Sequence, residues 1–189
     1  MKTSLINRRL YLLSLFFLSL LASSGLAAQS GTWLLVDTDS RELVVYQGER
    51  ELSRFNGIAI GRGGAAENRQ RGDHKTPLGE FRIGWINWDS EYHIFLGIDY
   101  PTFRHASRAY RAGYLELDDY LTVIDAVRMR RLPPQTTILG GHIGIHGLGK
   151  ADPYIHQIAD WTRGCIAMTD SQVEELAELV SIGTRVVIR

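Results

Sequence analysis

The one cysteine of the 189-residue chain, Cys165, is the side chain best suited to nucleophilic chemistry. A free thiol has a pKa near 8.5, so only a few per cent is thiolate at neutral pH and a neighbouring base is needed to activate it. Gly164 before it permits a tight turn that aims backbone N–H groups at one point, as an oxyanion hole requires. A buried, inert cysteine is the alternative interpretation.

His146 is the best candidate for that base. It ends the apolar segment 143–146 and is followed by Gly147, so its side chain can reach a cleft at the end of a strand. An imidazole can accept the thiol proton and hold the resulting ion pair. The pair of segments therefore predicts cysteine-dependent acyl transfer.

These segments resemble the catalytic motif of the L,D-transpeptidase (YkuD-like) domain. That motif is a His-Gly followed, after a short interval, by Ser/Thr-x-Gly-Cys, and the matching positions are His146, Gly147, Thr162, Gly164 and Cys165. The upstream segment 76–81, Thr-Pro-Leu-Gly-Glu-Phe, is similar to the Thr-Pro-x-Gly-x-Phe segment of the family.

The resemblance implies a role for each matching residue. Cys165 would be the nucleophile, His146 the general base and later the general acid, and the backbone carbonyl of Gly147 would orient the imidazole. The oxyanion would be stabilised by backbone N–H groups of Gly164 and Cys165, together with Arg163.

Thr162 would support the cysteine turn.

Two positions depart from the family pattern. Arg163 stands where many members have His, and Ala167 stands where many have Arg or Asn. A polar residue at position 167 would help hold a substrate carboxylate or the cysteine loop, and Arg163 is either a replacement charge or a solvated arginine.

The reaction implied by the resemblance acts on peptidoglycan stem peptides. The thiolate would attack the carbonyl at the L-centre of the third residue, expel D-alanine and leave a thioester. An amine acceptor would give a 3–3 crosslink or a tether to a lysine of an envelope protein. Water would instead give hydrolysis, as in an L,D-carboxypeptidase or amidase. Carbapenem β-lactams are the implied inhibitors, and no cofactor is implied.

The elements that position these residues are mostly strands. Apolar, β-branched runs at 33–37 and 42–46 predict a hairpin, and further strands are expected up to Ile60 and at 81–85, 93–98, 138–146 and 185–189. Two helices are expected in an insert at about 102–134, and a short helix at 171–180 with Thr169 and Gln172 at capping-box spacing. We therefore expect a mainly β fold, which the resemblance specifies as a mixed β-sandwich.

Other residues are weaker candidates for the site. His142, His93 and Tyr114 are assigned to substrate binding, although packing or surface roles are the alternatives. His142, His146, His156 and Cys165 together suggest a zinc-dependent wall peptidase as a further alternative. No tight ligand spacing supports it, so no metal site is predicted.

The N-terminus has the order of a secretory signal peptide: three basic residues within 1–9, an apolar run at 10–21, then small residues. We expect residues 1–28 to be removed, an uncleaved anchor being the alternative. The remaining 29–189 would form one catalytic domain in the periplasm or cell envelope. Lys+Arg and Asp+Glu number 21 each, so no basic excess indicates a nucleic-acid partner.

Overall fold

The computed structural model describes residues 31–189, so the predicted signal peptide at 1–28 lies outside the described residues. The strands are β1 (Thr32–Asp37), β2 (Glu42–Gln47), β3 (Arg50–Asn56), β4 (Ala65–Ala66), β5 (Thr76–Pro77), β6 (Gly79–Ser90), β7 (His93–Ile98), β8 (Gly144–His146), β9 (Ile166–Ala167) and β10 (Arg185–Ile188). The helices are α1 (Phe103–Arg111), α2 (Leu117–Arg128), α3 (Pro153–Ile158) and α4 (Asp170–Leu179).

Eight of the strands form one mixed sheet in the order β3-β2-β1-β10-β6-β7-β8-β9, and β4 pairs with β5 separately. The predicted hairpin is present as the antiparallel pair β1/β2. The pairs β1/β10 and β8/β9 are parallel, and the others in this sheet are antiparallel. The predicted fold class, mainly β with a large mixed sheet and helical elements, is confirmed.

The two ends of the sheet approach each other. Ala59, three residues beyond β3, exchanges both backbone hydrogen bonds with Ala167 of β9, at 2.9 and 2.8 Å. Gly61 forms a further bridge to Thr162. Because β9 directly follows Cys165, this closure fixes the cysteine segment against the first half of the chain.

The helical insert has the expected two helices. Asp118 and Asp119 lie in the first turn of α2 and Arg128 in its last, which suits the helix dipole. Tyr110 of α1 stacks on Tyr120 of α2, with ring centroids 4.8 Å apart. These two tyrosines therefore join the helices to each other.

The strand predicted at 138–146 is too long. Only 144–146 are extended, since Gly140 and His142 have φ values of +75° and +53° and turn the backbone before β8. The sequence analysis also did not predict that Thr76 and Pro77 form a short strand, β5, which pairs with β4. Apolar periodicity does not register such backbone turns or two-residue pairings.

Fully buried aliphatic side chains from both halves of the sheet and from α4 form the core, among them Leu34, Leu96, Ile145, Val186 and Leu176. The helix α4 has the predicted capping box of Thr169 and Gln172. No helix within residues 31–189 combines the length and apolar character that crossing a membrane requires.

Candidate functional site

The pairing of β8 with β9 brings the His-Gly and Gly-Cys segments together. Ile145 lies opposite Ile166 and His146 opposite Ala167, in parallel register. Continued by one residue, this register sets Cys165 beside Gly144. Side chains two apart on a strand share a face, so Cys165 and His146 emerge on the same side of the sheet.

The thiol of Cys165 contacts the backbone just before β8. Its Sγ is 3.4 Å from the carbonyl oxygen of His142, which accepts the S–H, and the N–H of Gly144 donates to the sulfur. The residue is only partly exposed. His142, predicted as a weak substrate-binding residue, is thus placed next to the nucleophile through its main chain.

Thr162 closes the turn that precedes Cys165. Its hydroxyl donates to the carbonyl oxygen of Cys165 at 2.7 Å and accepts the N–H of Gly164 at 3.1 Å. The support expected from Thr162 therefore has a specific structural basis. The Gly164 N–H, expected to point at an oxyanion, is already donated to this hydroxyl, so it is not a free donor in this conformation.

The imidazole of His146 is held by the carbonyl oxygen of the next residue. Nδ1 lies 2.7 Å from the oxygen of Gly147. Because a carbonyl oxygen only accepts, Nδ1 must carry the proton, and the lone pair of the neutral ring lies on Nε2. The following loop is fixed by Asp170, whose Oδ1 accepts the N–H groups of Leu148 at 2.6 Å and Gly149 at 3.0 Å.

Three aromatic side chains that the sequence reasoning did not select surround His146. Tyr92 lies against the ring with centroids 4.4 Å apart, Phe95 stacks at 5.8 Å, and Trp161 meets it edge-on at 6.0 Å. The charge of Cys165 is among the causes that raise the pKa of Tyr92, after desolvation and Glu91, so Tyr92 is near both motif residues. Trp161 directly precedes Thr162 of the motif, and this position was the one feature of the sequence that could have indicated its place in the site.

Burial holds both reacting groups in their neutral forms. It lowers the pKa of His146 to about 4, although the hydrogen bond to Gly147 acts in the opposite direction. It raises the pKa of the Cys165 thiol to about 11, against the effects of the Gly144 N–H and the charge of Arg69. The ion pair expected from the sequence is therefore disfavoured in the resting protein.

A cavity of about 410 Å³ opens beside the cysteine. We call it the arginine cavity, because its charged and titratable lining residues are Arg69, Arg71, Arg163, His74 and His142. Two neighbours of Cys165 line it: His142, whose carbonyl oxygen accepts the S–H, and Arg163, which precedes Cys165 by two residues.

Two predicted residues do not join this arrangement. His93, the first residue of β7, has a φ of +71° and makes a surface contact with Glu174 of α4, at 2.6 Å from Nε2 to Oε1. Tyr114 lies within the helical insert, between α1 and α2, and packs against the core, where desolvation raises its pKa. Neither contact supports the predicted roles in substrate binding, which stay predictions.

The histidines of the alternative zinc site are engaged in other contacts. His156 is buried with its Nδ1 accepting the indole N–H of Trp161 at 3.3 Å, and His146 is bonded to Gly147. Within residues 31–189, no group of three or more His, Cys, Asp or Glu side chains is arranged to hold a metal ion.

The comparison with protein families agrees with the motif geometry. The family model of the YkuD L,D-transpeptidase catalytic domain matches residues 31–188. The chain belongs to this family. The match covers all ten strands, including both segments that meet at β8 and β9. No curated protein matches the chain.

Solved structures of similar fold include the helical cell shape determining protein Pgp2 from Campylobacter jejuni. Its crystal structure is 21% identical with a TM-score of 0.55, covering 86% of this chain and 51% of that one. A variant of the same protein gives a TM-score of 0.57 at 21% identity, covering 84% and 47%. The Ldtfm-avibactam carbamoyl enzyme gives 0.50 at 16% identity, covering 84% and 48%. This member of the family thus spans about half the length of these proteins.

Proposed function

We propose that this family member is an exported cysteine acyltransferase acting on peptidoglycan stem peptides. The observation that carries the proposal is the orientation of His146 by Gly147, which leaves Nε2 unprotonated on the sheet face that also presents Cys165. Membership of the L,D-transpeptidase catalytic-domain family supports the substrate class.

The first half-reaction forms a thioester. The S–H proton of Cys165 passes to Nε2 of His146 while Sγ attacks the carbonyl carbon at the L-centre of the third stem residue. The tetrahedral intermediate collapses as the C–N bond breaks. The imidazolium then gives its proton to the nitrogen of the leaving D-alanine. D-alanine departs with a free amine, and His146 returns to its neutral form.

The second half-reaction transfers the acyl group. His146 accepts a proton from the attacking amine, which forms an amide with the acyl carbon, and then returns a proton to the sulfur of Cys165. The amine of a second stem gives a 3–3 crosslink, and a lysine of an envelope protein gives a tether. Water at the same position gives the hydrolytic alternative, an L,D-carboxypeptidase or amidase.

Stabilisation of the oxyanion is assigned to the cysteine turn. The N–H of Gly164 is donated to Thr162. The N–H of Cys165 therefore remains the proposed main-chain donor, with the side chain of Arg163 beside it at the edge of the arginine cavity.

The decisive experiment is incubation of the purified chain with stem tetrapeptides of peptidoglycan, followed by mass spectrometry. Release of D-alanine with crosslinked dimers indicates transpeptidation, and trimmed monomers alone indicate hydrolysis. Cys165→Ala should abolish both and keep the fold, while His93→Gln, which changes a histidine outside the site, should keep wild-type turnover. Turnover retained by Cys165→Ala would refute the thiol mechanism.

Export is a separate part of the proposal and rests on residues 1–28. Cell fractionation should recover the chain in the periplasm or envelope, with an N-terminus after Ala27 or Ala28. Recovery of the full-length chain in the cytoplasm would contradict it.

A further inference from the structure

Arg69 is buried without a full set of partners. The residue is 4% exposed, and within residues 31–189 neither its Nε nor its Nη1 has a hydrogen-bond partner. Its nearest carboxylate oxygen, Oδ1 of Asp73, is 3.8 Å from Nε, which is too long for a hydrogen bond. A buried guanidinium is normally paired and hydrogen-bonded, so this one has donors to offer to a ligand.

Asp73 does not supply the missing acceptor because it stabilises its own loop. Its Oδ2 accepts the N–H of Gln70 at 2.8 Å, and its Oδ1 accepts the N–H of Lys75 at 2.9 Å. It offsets part of the charge of Arg69 from a distance. The two unpartnered donors of Arg69 are unaffected.

The guanidinium is nevertheless held in place. It lies over the ring of Tyr100, 5.3 Å from the centroid, and Tyr100 is fully buried with its hydroxyl donating to the carbonyl oxygen of Leu139. A contact with an aromatic face orients the guanidinium plane and leaves the in-plane N–H donors free. Nη1 lies beside Gly140, which also lines the cavity, since a Cβ at Gly140 would lie 3.5 Å from this nitrogen.

The rest of the arginine cavity also favours an anion. Arg71 and Arg163 add two positive charges, and none of the described residues that line it is acidic. The lining residue His142 accepts the S–H of Cys165 through its carbonyl oxygen, and the charge of Arg69 acts on that thiol. A carboxylate, which accepts two parallel N–H donors from a guanidinium, matches this arrangement.

We propose that the arginine cavity is a carboxylate-binding site in which Arg69 holds the terminal carboxylate of the amino acid that the reaction releases. The inference rests on the proposed function for the identity of the ligand. The leaving-group carboxylate is joined to the scissile nitrogen through one carbon, so standard bond lengths keep it within about 4 Å of the carbonyl carbon that Sγ attacks. The site therefore selects donors that end one residue after the scissile bond.

The first test varies the substrate and the protein together. Stem tetrapeptide with a free D-alanine carboxylate is compared with the same peptide ending in D-alaninamide. Wild type should lose about tenfold or more in kcat/KM on the amide, as expected for a charge-assisted hydrogen bond. Arg69→Gln should lose as much on the acid and little on the amide. Arg50→Gln, which removes an exposed arginine of β3 outside the cavity, should discriminate as wild type does.

A second peptide identifies which carboxylate is bound. The third residue of the stem used is a diaminopimelate, whose second centre carries a free carboxylate. This carboxylate is converted to an amide while D-alanine keeps its own. If Arg69→Gln lowers kcat/KM only for peptides in which the carboxylate of the third residue is free, the assignment to the leaving amino acid is overturned. If discrimination between acid and amide is the same in wild type and Arg69→Gln, the role of Arg69 is overturned.

The second test requires no turnover. Alkylation of Cys165 by iodoacetate, which carries a carboxylate, is compared with alkylation by neutral iodoacetamide. The ratio of their rate constants should be several-fold higher in wild type than in Arg69→Gln, and Arg50→Gln should resemble wild type. The difference should persist at 0.3 M salt, where interactions of exposed charges are largely screened.

The two tests separate the two proposals. A raised alkylation ratio in a chain that turns over no stem peptide would refute the proposed function and leave the carboxylate site standing. Turnover of stem peptides with unchanged ratios would refute the carboxylate site alone. Should Arg69→Gln fail to fold, wild type still decides, because a ratio no higher than that of free cysteine overturns the inference.

Discussion

Acidification between pH 6.5 and 4 should destabilise the protein through two buried histidines. Burial lowers the pKa values of His146 and His105 to about 4, from an ordinary 6.5. In this window the unfolded chain binds protons that the folded chain does not, so the free energy of unfolding falls as the pH falls, and it is fully retained above pH 6.5. At 1.36 kcal/mol per pKa unit, each histidine contributes about 3 kcal/mol that is lost by pH 4.

Urea denaturation at intervals from pH 7 to pH 4 measures this loss. His105→Gln and His146→Gln should each reduce the slope by about half, whatever they do to the stability at pH 7. The acid limb of kcat/KM should follow His146 alone, with an apparent pKa well below 6.5, and should be unchanged in His105→Gln. A wild-type stability independent of pH across this range, or an acid limb at 6.5, would refute the reasoning from burial.

Three further predictions concern the cysteine turn. Thr162→Val should lower the free energy of unfolding by about 2–3 kcal/mol and should lower kcat, because two hydrogen bonds of a buried hydroxyl are lost. Thr162→Ser should retain the stability in denaturation and the kcat in turnover assays. Gly164→Ala should lower the free energy of unfolding by about 3 kcal/mol or more, since φ is +122° and a Cβ would lie 2.5 Å from the carbonyl oxygen of Lys75. Gly113→Ala should lower it by about 1 kcal/mol, because φ is +77° but a Cβ there would meet no atom within 4 Å. Equal losses of stability in the two variants would contradict the steric argument. Carbapenems should raise the mass of the chain by one adduct located on Cys165 in peptide maps, and an adduct persisting in Cys165→Ala would contradict the assignment.

Much of the molecule follows from local sequence signals. Two short apolar, β-branched runs close together in the chain predict the hairpin β1/β2, and capping residues predict α4, because these patterns depend on neighbours in the chain. The sequence also proposes Cys165 as nucleophile and His146 as base, since few residue types can serve in these roles, and both roles stay predictions. The failed strand at 138–143 shows the limit, because apolar content does not reveal positive φ values at Gly140 and His142.

The charge environment of the site was decided by distant parts of the chain. Tyr92 precedes His146 in the sequence and Trp161 follows it, and both pack against its ring. The charge of Arg69, almost a hundred residues before Cys165, acts on the thiol. Desolvation depends on everything packed around a group, so no local pattern indicated that His146 and Cys165 would both rest neutral. The sequence by itself thus indicated which side chains are candidates for the reaction. Only the tertiary structure decided their protonation and the unpartnered guanidinium of Arg69 near them, because both depend on burial and on contacts between residues that are far apart in the chain.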